Sequence, residues 1–109
     1  LMRPSLDGAH HHVVNISNNK NSDEMFDVVG PICETGDFLA KDRQISASED
    51  DLLAFMDAGA YGFSMSSNYN TRPKIAEILV DQTDFKLIRQ RETIDDLIQH
   101  EIEFVNQKK

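Results

Sequence analysis

Tryptophan is absent from these 109 residues, and cysteine occurs once, tyrosine twice and proline three times. One cysteine cannot close an internal disulfide, so packing and hydrogen bonds have to hold the fold, and a free thiol suits a reducing compartment. No apolar run approaches the roughly 18 residues needed to span a bilayer, and no charged-then-apolar leader opens the chain. Basic residues are also scarce, 11 against 19 acidic for a formal charge of −8. That balance repels a phosphate backbone and leaves no basic patch for DNA or RNA. The expectation is a cytoplasmic protein with neither nucleic-acid nor membrane partners, and its length fits one domain over 1–109.

Chemistry concentrates in Gly30-Pro31-Ile32-Cys33-Glu34-Thr35-Gly36-Asp37. The apolar, β-branched run Met25 to Val29 before it reads as a buried strand closed by Gly-Pro, which places the cysteine on a loop leaving a rigid element. Loops on rigid scaffolds are where binding and catalytic residues gather. A lone cysteine is more often a small buried hydrophobe. If it is chemical, the adjacent Glu34 disfavours a thiolate, so Cys33 suits proton donation better than nucleophilic attack.

A second stretch, Asp57 to Asn70, sets glycines around Ala60-Tyr61 and follows them with serine and asparagine side chains, a donor-rich run suited to a phosphate. Together with Leu1-Met2-Arg3-Pro4-Ser5-Leu6 and the run Gly30 to Arg43, this stretch closely resembles the carboxy-terminal part of bacterial diaminopimelate decarboxylases. Those are pyridoxal-phosphate enzymes of the alanine-racemase-like fold. The resemblance runs from Leu1 to about Glu101, with three motifs in the family's order.

The resemblance implies a mainly β fold, an antiparallel barrel or sandwich with a terminal helix. It also implies a fragment, whose TIM-like barrel domain, carrying the cofactor-binding lysine, precedes Leu1, and a homodimer. The implied activity is removal of one carboxyl group from meso-diaminopimelate to give lysine. Cys33 would be the proton donor, reaching the partner subunit's site; Glu34 would meet the distal ammonium of the substrate and Arg3 a substrate carboxylate. Tyr61 would touch both pyridoxal phosphate and substrate. Where the family's opening motif usually ends in tyrosine, this chain has Asp7, and a carboxylate there would repel a bound carboxylate by about 1 to 4 kcal/mol. The alternatives are decarboxylation of ornithine, arginine or a polyamine precursor, and a non-catalytic assembly domain.

The remaining stretches read as scaffold. His10-His11-His12 precedes the strand Val13 to Ile16, where neighbouring side chains alternate faces, so the three do not converge on a metal. The polar run Ser17 to Asp23 reads as a hairpin loop joining that strand to Met25–Val29. Phe38 to Ala40 and Leu52 to Met56 read as further strands, the second buried on both faces with a helix as its rival reading, and a polar surface segment runs from Gln44 to Asp51. Ala76 to Val80 and Phe85 to Arg89 read as a hairpin across Asp81–Asp84. Thr93 with Asp96 caps a helix carrying Ile94, Leu97, Ile98, Ile102 and Val105 on one face, and Gln107 to Lys109 should fray.

Overall fold

The computed structural model describes residues 1–17 and 22–107. These fall into two compact units, Met2–Ser66 and a second that runs from Ser67 onward and includes Leu1.

The first unit opens with a 3₁₀ turn, Pro4–Leu6, in which proline's fixed φ suits the first helical position. Four strands follow: β1 (Val13–Asn15), β2 (Glu24–Val29), β3 (Phe38–Ile45) and β4 (Leu53–Phe55). The expected hairpin between β1 and β2 does not form. β1 pairs antiparallel with β4, with Val13 opposite Phe55, and β2 pairs antiparallel with β3. Asn15 explains part of this choice, because its side-chain amide donates to the Ser46 carbonyl and to Asp51, tying β1 to the segment that leads into β4. Most of the expected hairpin loop, residues 18–21, lies outside the described residues.

β3 runs further than expected and takes in Lys41-Asp42-Arg43. It does so through a bulge opposite Asp27, where Asp42 adopts φ 52° and its N–H donates to the Asp27 carboxyl at 2.9 Å. A bulge of this kind lets a strand continue past one unpaired residue while increasing its twist. The interior of this unit is small. Pro4, Val13 and Ala40 are buried, where β1 and the Pro4–Leu6 turn contact β3, and His11 and Asp37 are buried as well.

The second unit is a hairpin and a helix. β5 (Glu77–Asp81) and β6 (Asp84–Arg89) pair antiparallel across a tight turn in which Gln82 takes φ 55°. The helix α1 (Ile94–Gln107) starts at the expected cap. The Thr93 hydroxyl donates to the Asp96 carboxyl at 2.8 Å and accepts from the Asp96 N–H, while the Thr93 N–H donates to the same carboxyl. Residues 108 and 109 lie outside the described residues.

The fold is thus mainly β with a carboxy-terminal helix, as expected, but the described strands form three separate two-stranded sheets and no closed barrel. Two expected burials also fail. Met25 and Val29 in β2 are each about two-thirds exposed, as is Leu52 before β4. A two-stranded ribbon has two open faces and shelters a residue only where another element crosses it, so apolar composition alone does not bury these positions.

Candidate functional site

The loop between β2 and β3 presents Cys33 at the surface. Its path is fixed by a short chain of hydrogen bonds. The Glu34 N–H donates to the Ile32 carbonyl at 2.8 Å, a γ-turn with Cys33 at its apex, and the Asp37 N–H donates to the Glu34 carbonyl at 3.1 Å, a β-turn that returns the chain to β3. The Gly30 N–H closes the neck of the loop on the Asp37 carbonyl at 2.8 Å.

The Pro4–Leu6 turn docks on this loop through two polar contacts. The Ser5 hydroxyl donates to the Gly36 carbonyl, and the Arg3 guanidinium forms an ion pair with the Glu34 carboxylate. The side chains of Arg3 and Glu34 are only 14% and 32% exposed, so the pair is partly shielded from water and worth more than a surface pair. Sequence reasoning gave these two residues separate tasks; the fold brings them into direct contact.

Tyr61 sits on a single π-helical turn, Gly59–Phe63, closed by the Phe63 N–H on the Ala58 carbonyl at 3.0 Å. Gly62 is buried there because a Cβ would stand 2.9 Å from the Met2 sulfur and 3.0 Å from the Ala58 Cβ. This close approach seats the turn on Met2 and holds Tyr61, 68% exposed, in a shallow depression that Arg3, Asp7 and His11 also line. Cys33 and Glu34 are not part of that depression's wall. Arg3 therefore touches both halves of the site, Glu34 on one side and the Tyr61 depression on the other.

The donors after Tyr61 do less than their composition implied. The Ser64 hydroxyl donates back to the Ala60 carbonyl, the Ser67 hydroxyl accepts from the Tyr69 N–H, and the Asn68 amide donates to the Arg72 carbonyl and to Glu92. They shape the loop, whereas Tyr61 is 68% exposed. The three histidines diverge, His10 onto Arg43 at 2.8 Å, His11 onto the Met56 carbonyl at 3.1 Å, and His12 into solvent.

Asp37 had no assigned role in the sequence, yet it is 4% exposed and its carboxyl accepts the Ile32 N–H at 2.6 Å. Its position, just after a glycine and just before a strand, was the available signal. Asp7 was set aside on the sequence, and it stands beside Arg3 and Tyr61.

The chain is similar to known proteins over most of its length. A diaminopimelate decarboxylase from Neisseria meningitidis serogroup B is 50% identical over 102 residues, which cover 94% of this chain and 25% of that protein. A crystal structure from Aquifex aeolicus superposes with a TM-score of 0.85 at 48% identity, covering 92% of this chain and 25% of that one. The diaminopimelate decarboxylase of Helicobacter pylori complexed with L-lysine gives a TM-score of 0.82 at 40% identity, over 93% of this chain and 25% of the other. The chain thus spans about a quarter of the length of the relatives it matches. Residues 1–59 match the family model of the pyridoxal-dependent decarboxylase C-terminal sheet domain, and the chain belongs to that family.

Proposed function

We propose that this chain is the carboxy-terminal domain, 1–109, of a cytoplasmic, homodimeric diaminopimelate decarboxylase, completed by an amino-terminal barrel domain of the same polypeptide. The reaction breaks the bond between one stereocentre of meso-diaminopimelate and its carboxyl group, releases carbon dioxide and leaves L-lysine. Cys33 gives its proton to the carbon that has lost the carboxyl group, in the site of the partner subunit, and recovers a proton from water.

The donor set supports one edge of the cofactor. Tyr61, exposed beside Arg3, suits the phosphate of pyridoxal phosphate, whereas Ser64, Ser67 and Asn68 make hydrogen bonds within the loop or to Glu92. When bound, pyridoxal phosphate draws off the electron pair left as the carboxyl group departs.

The observation that carries the substrate choice is the Arg3–Glu34 ion pair. A ligand enters such a pair without leaving a partly buried charge unmatched only if it brings both a carboxylate for Arg3 and an ammonium for Glu34. The non-reacting end of diaminopimelate carries both groups on one carbon. Ornithine, arginine and the polyamine precursors bring a cation and no carboxylate there, so they match Glu34 and not Arg3, and weaker binding by about 2 kcal/mol, roughly thirtyfold, is expected.

The test is carbon dioxide release by the full-length enzyme from meso-diaminopimelate and from ornithine. The expected result is a kcat/KM at least tenfold higher for diaminopimelate. Faster turnover of ornithine would overturn the assignment.

A further inference from the structure

Apart from the groups that would meet substrate, one buried side chain stands at the neck of the loop that carries Cys33. Asp37 is 4% exposed, and its carboxyl lies over Gly30 so closely that a Cβ on that glycine would stand within 2.6 Å of three of its atoms. One oxygen, Oδ2, takes the Ile32 N–H at 2.6 Å; the other, Oδ1, is buried without a hydrogen-bond partner among the described residues. An aspartate is rarely buried with half its acceptor capacity unused, because the desolvation cost has to be offset by what the remaining contact achieves. Here the remaining contact is to Ile32, whose carbonyl in turn accepts the Glu34 N–H and closes the γ-turn on Cys33.

We propose that Asp37 is a positioning residue for Cys33, acting through Ile32 and given its place by the bare Cα of Gly30. The inference rests on the reading of Cys33 as proton donor. Its effect is directed at the thiol rather than at Glu34, for a structural reason. Glu34 is tied separately, its side chain to Arg3 and its carbonyl to the Asp37 backbone N–H, and neither tie needs the Asp37 carboxyl. Removing that carboxyl loosens the turn at its Cys33 side and leaves the Glu34 side in place.

The test uses the full-length, cofactor-loaded enzyme. Asp37→Ala is expected to lower kcat for diaminopimelate at least tenfold while KM stays within threefold. Asp37→Asn keeps an oxygen for the Ile32 N–H and is expected to lose less. In a Cys33→Ala background, Asp37→Ala is expected to cause no further loss, because a residue that works only through the thiol has nothing left to position. Gly30→Ala is expected to displace the carboxyl and reproduce the Asp37→Ala defect, and the Gly30→Ala, Asp37→Ala pair to be no worse than Asp37→Ala alone.

An undiminished kcat in Asp37→Ala, or a loss that adds in full to that of Cys33→Ala, would overturn the proposal and leave the donor reading intact. An undiminished Cys33→Ala enzyme would instead overturn the donor reading, and this proposal with it. Asp37→Asn covers the case in which the alanine variant loses its cofactor.

Discussion

The two units of the chain are held together in opposite ways. In Met2–Ser66 polar groups are taken out of water: His11 on a carbonyl, Asp37 on Ile32, Asn15 on Ser46 and Asp51, and a half-sheltered Arg3–Glu34 pair. In the unit from Ser67 onward the polar ties stay near the surface; large apolar side chains stand open in both units, Phe85 at 76% and Val29 at 67% exposed. The hairpin and the capped helix of the second unit follow local rules of turn and cap. The first spends desolvation on buried polar contacts, and that is where the candidate catalytic groups are. Buried polar groups cost free energy unless matched, so these contacts fix geometry in the unit that carries Cys33.

The comparison breaks most visibly at Cys33. Cys33→Ala in the full-length enzyme is expected to lower kcat by about 10² to 10⁴, the usual worth of a positioned proton donor, with little change in melting temperature. An unaffected turnover number would erase the functional contrast between the units.

Packing gives the next largest effect. Gly62→Ala places a Cβ against Met2 and Ala58, and because the Met2 thioether can give way the expected loss is about 1 to 2 kcal/mol, with KM raised through the neighbouring Tyr61. Thermal unfolding and substrate titration of the one variant check both parts. In the second unit, Thr93→Ala removes the cap of α1 and is expected to cost about 1 kcal/mol without altering kcat or KM. A kinetic defect there would show that the units do not divide the labour as described.

The smallest effect is a response to acid in the second unit. The Lys74 backbone N–H and the Asn68 amide hold the Glu92 carboxyl below its ordinary range, and the Thr93 N–H and hydroxyl do the same for Asp96. Both groups are lowered by folding. Their stabilisation is therefore complete above the ordinary carboxylate range, about pH 4 to 4.5, and is lost as the pH falls through the lower folded values. Far-UV circular dichroism from pH 6 to pH 2 is expected to lose helical signal in that lower window, and Glu92→Gln to remove part of the dependence. A titration unchanged by Glu92→Gln would discard this staple.

Much of the molecule was legible before any coordinates. The hairpin of β5 and β6, the cap at Thr93, the face of α1 and the loop that carries Cys33 all follow from patterns within a dozen residues, where periodicity and turn chemistry act directly. The partner of β1 was not legible, since pairing across 40 residues is decided by which tethers form, and Asn15 gives no sign of reaching Asp51. Burial failed for Met25, Val29 and Leu52 because side-chain character does not say whether an element will cross a ribbon. For the donor run after Tyr61, composition counts hydroxyls and amides without showing that Ser64 and Asn68 already donate to backbone carbonyls.

By itself, then, the sequence determined the kinds of element, the exposed cysteine loop and the family, since each is carried by short motifs and local spacing. Only the tertiary structure decided that Arg3 meets Glu34, that Tyr61 shares a depression with Arg3 and Asp7, and that Asp37 lies buried over Gly30. Those are contacts between residues far apart in the chain or folded back through a turn. They depend on distances of a few ångströms that residue order does not encode one pair at a time.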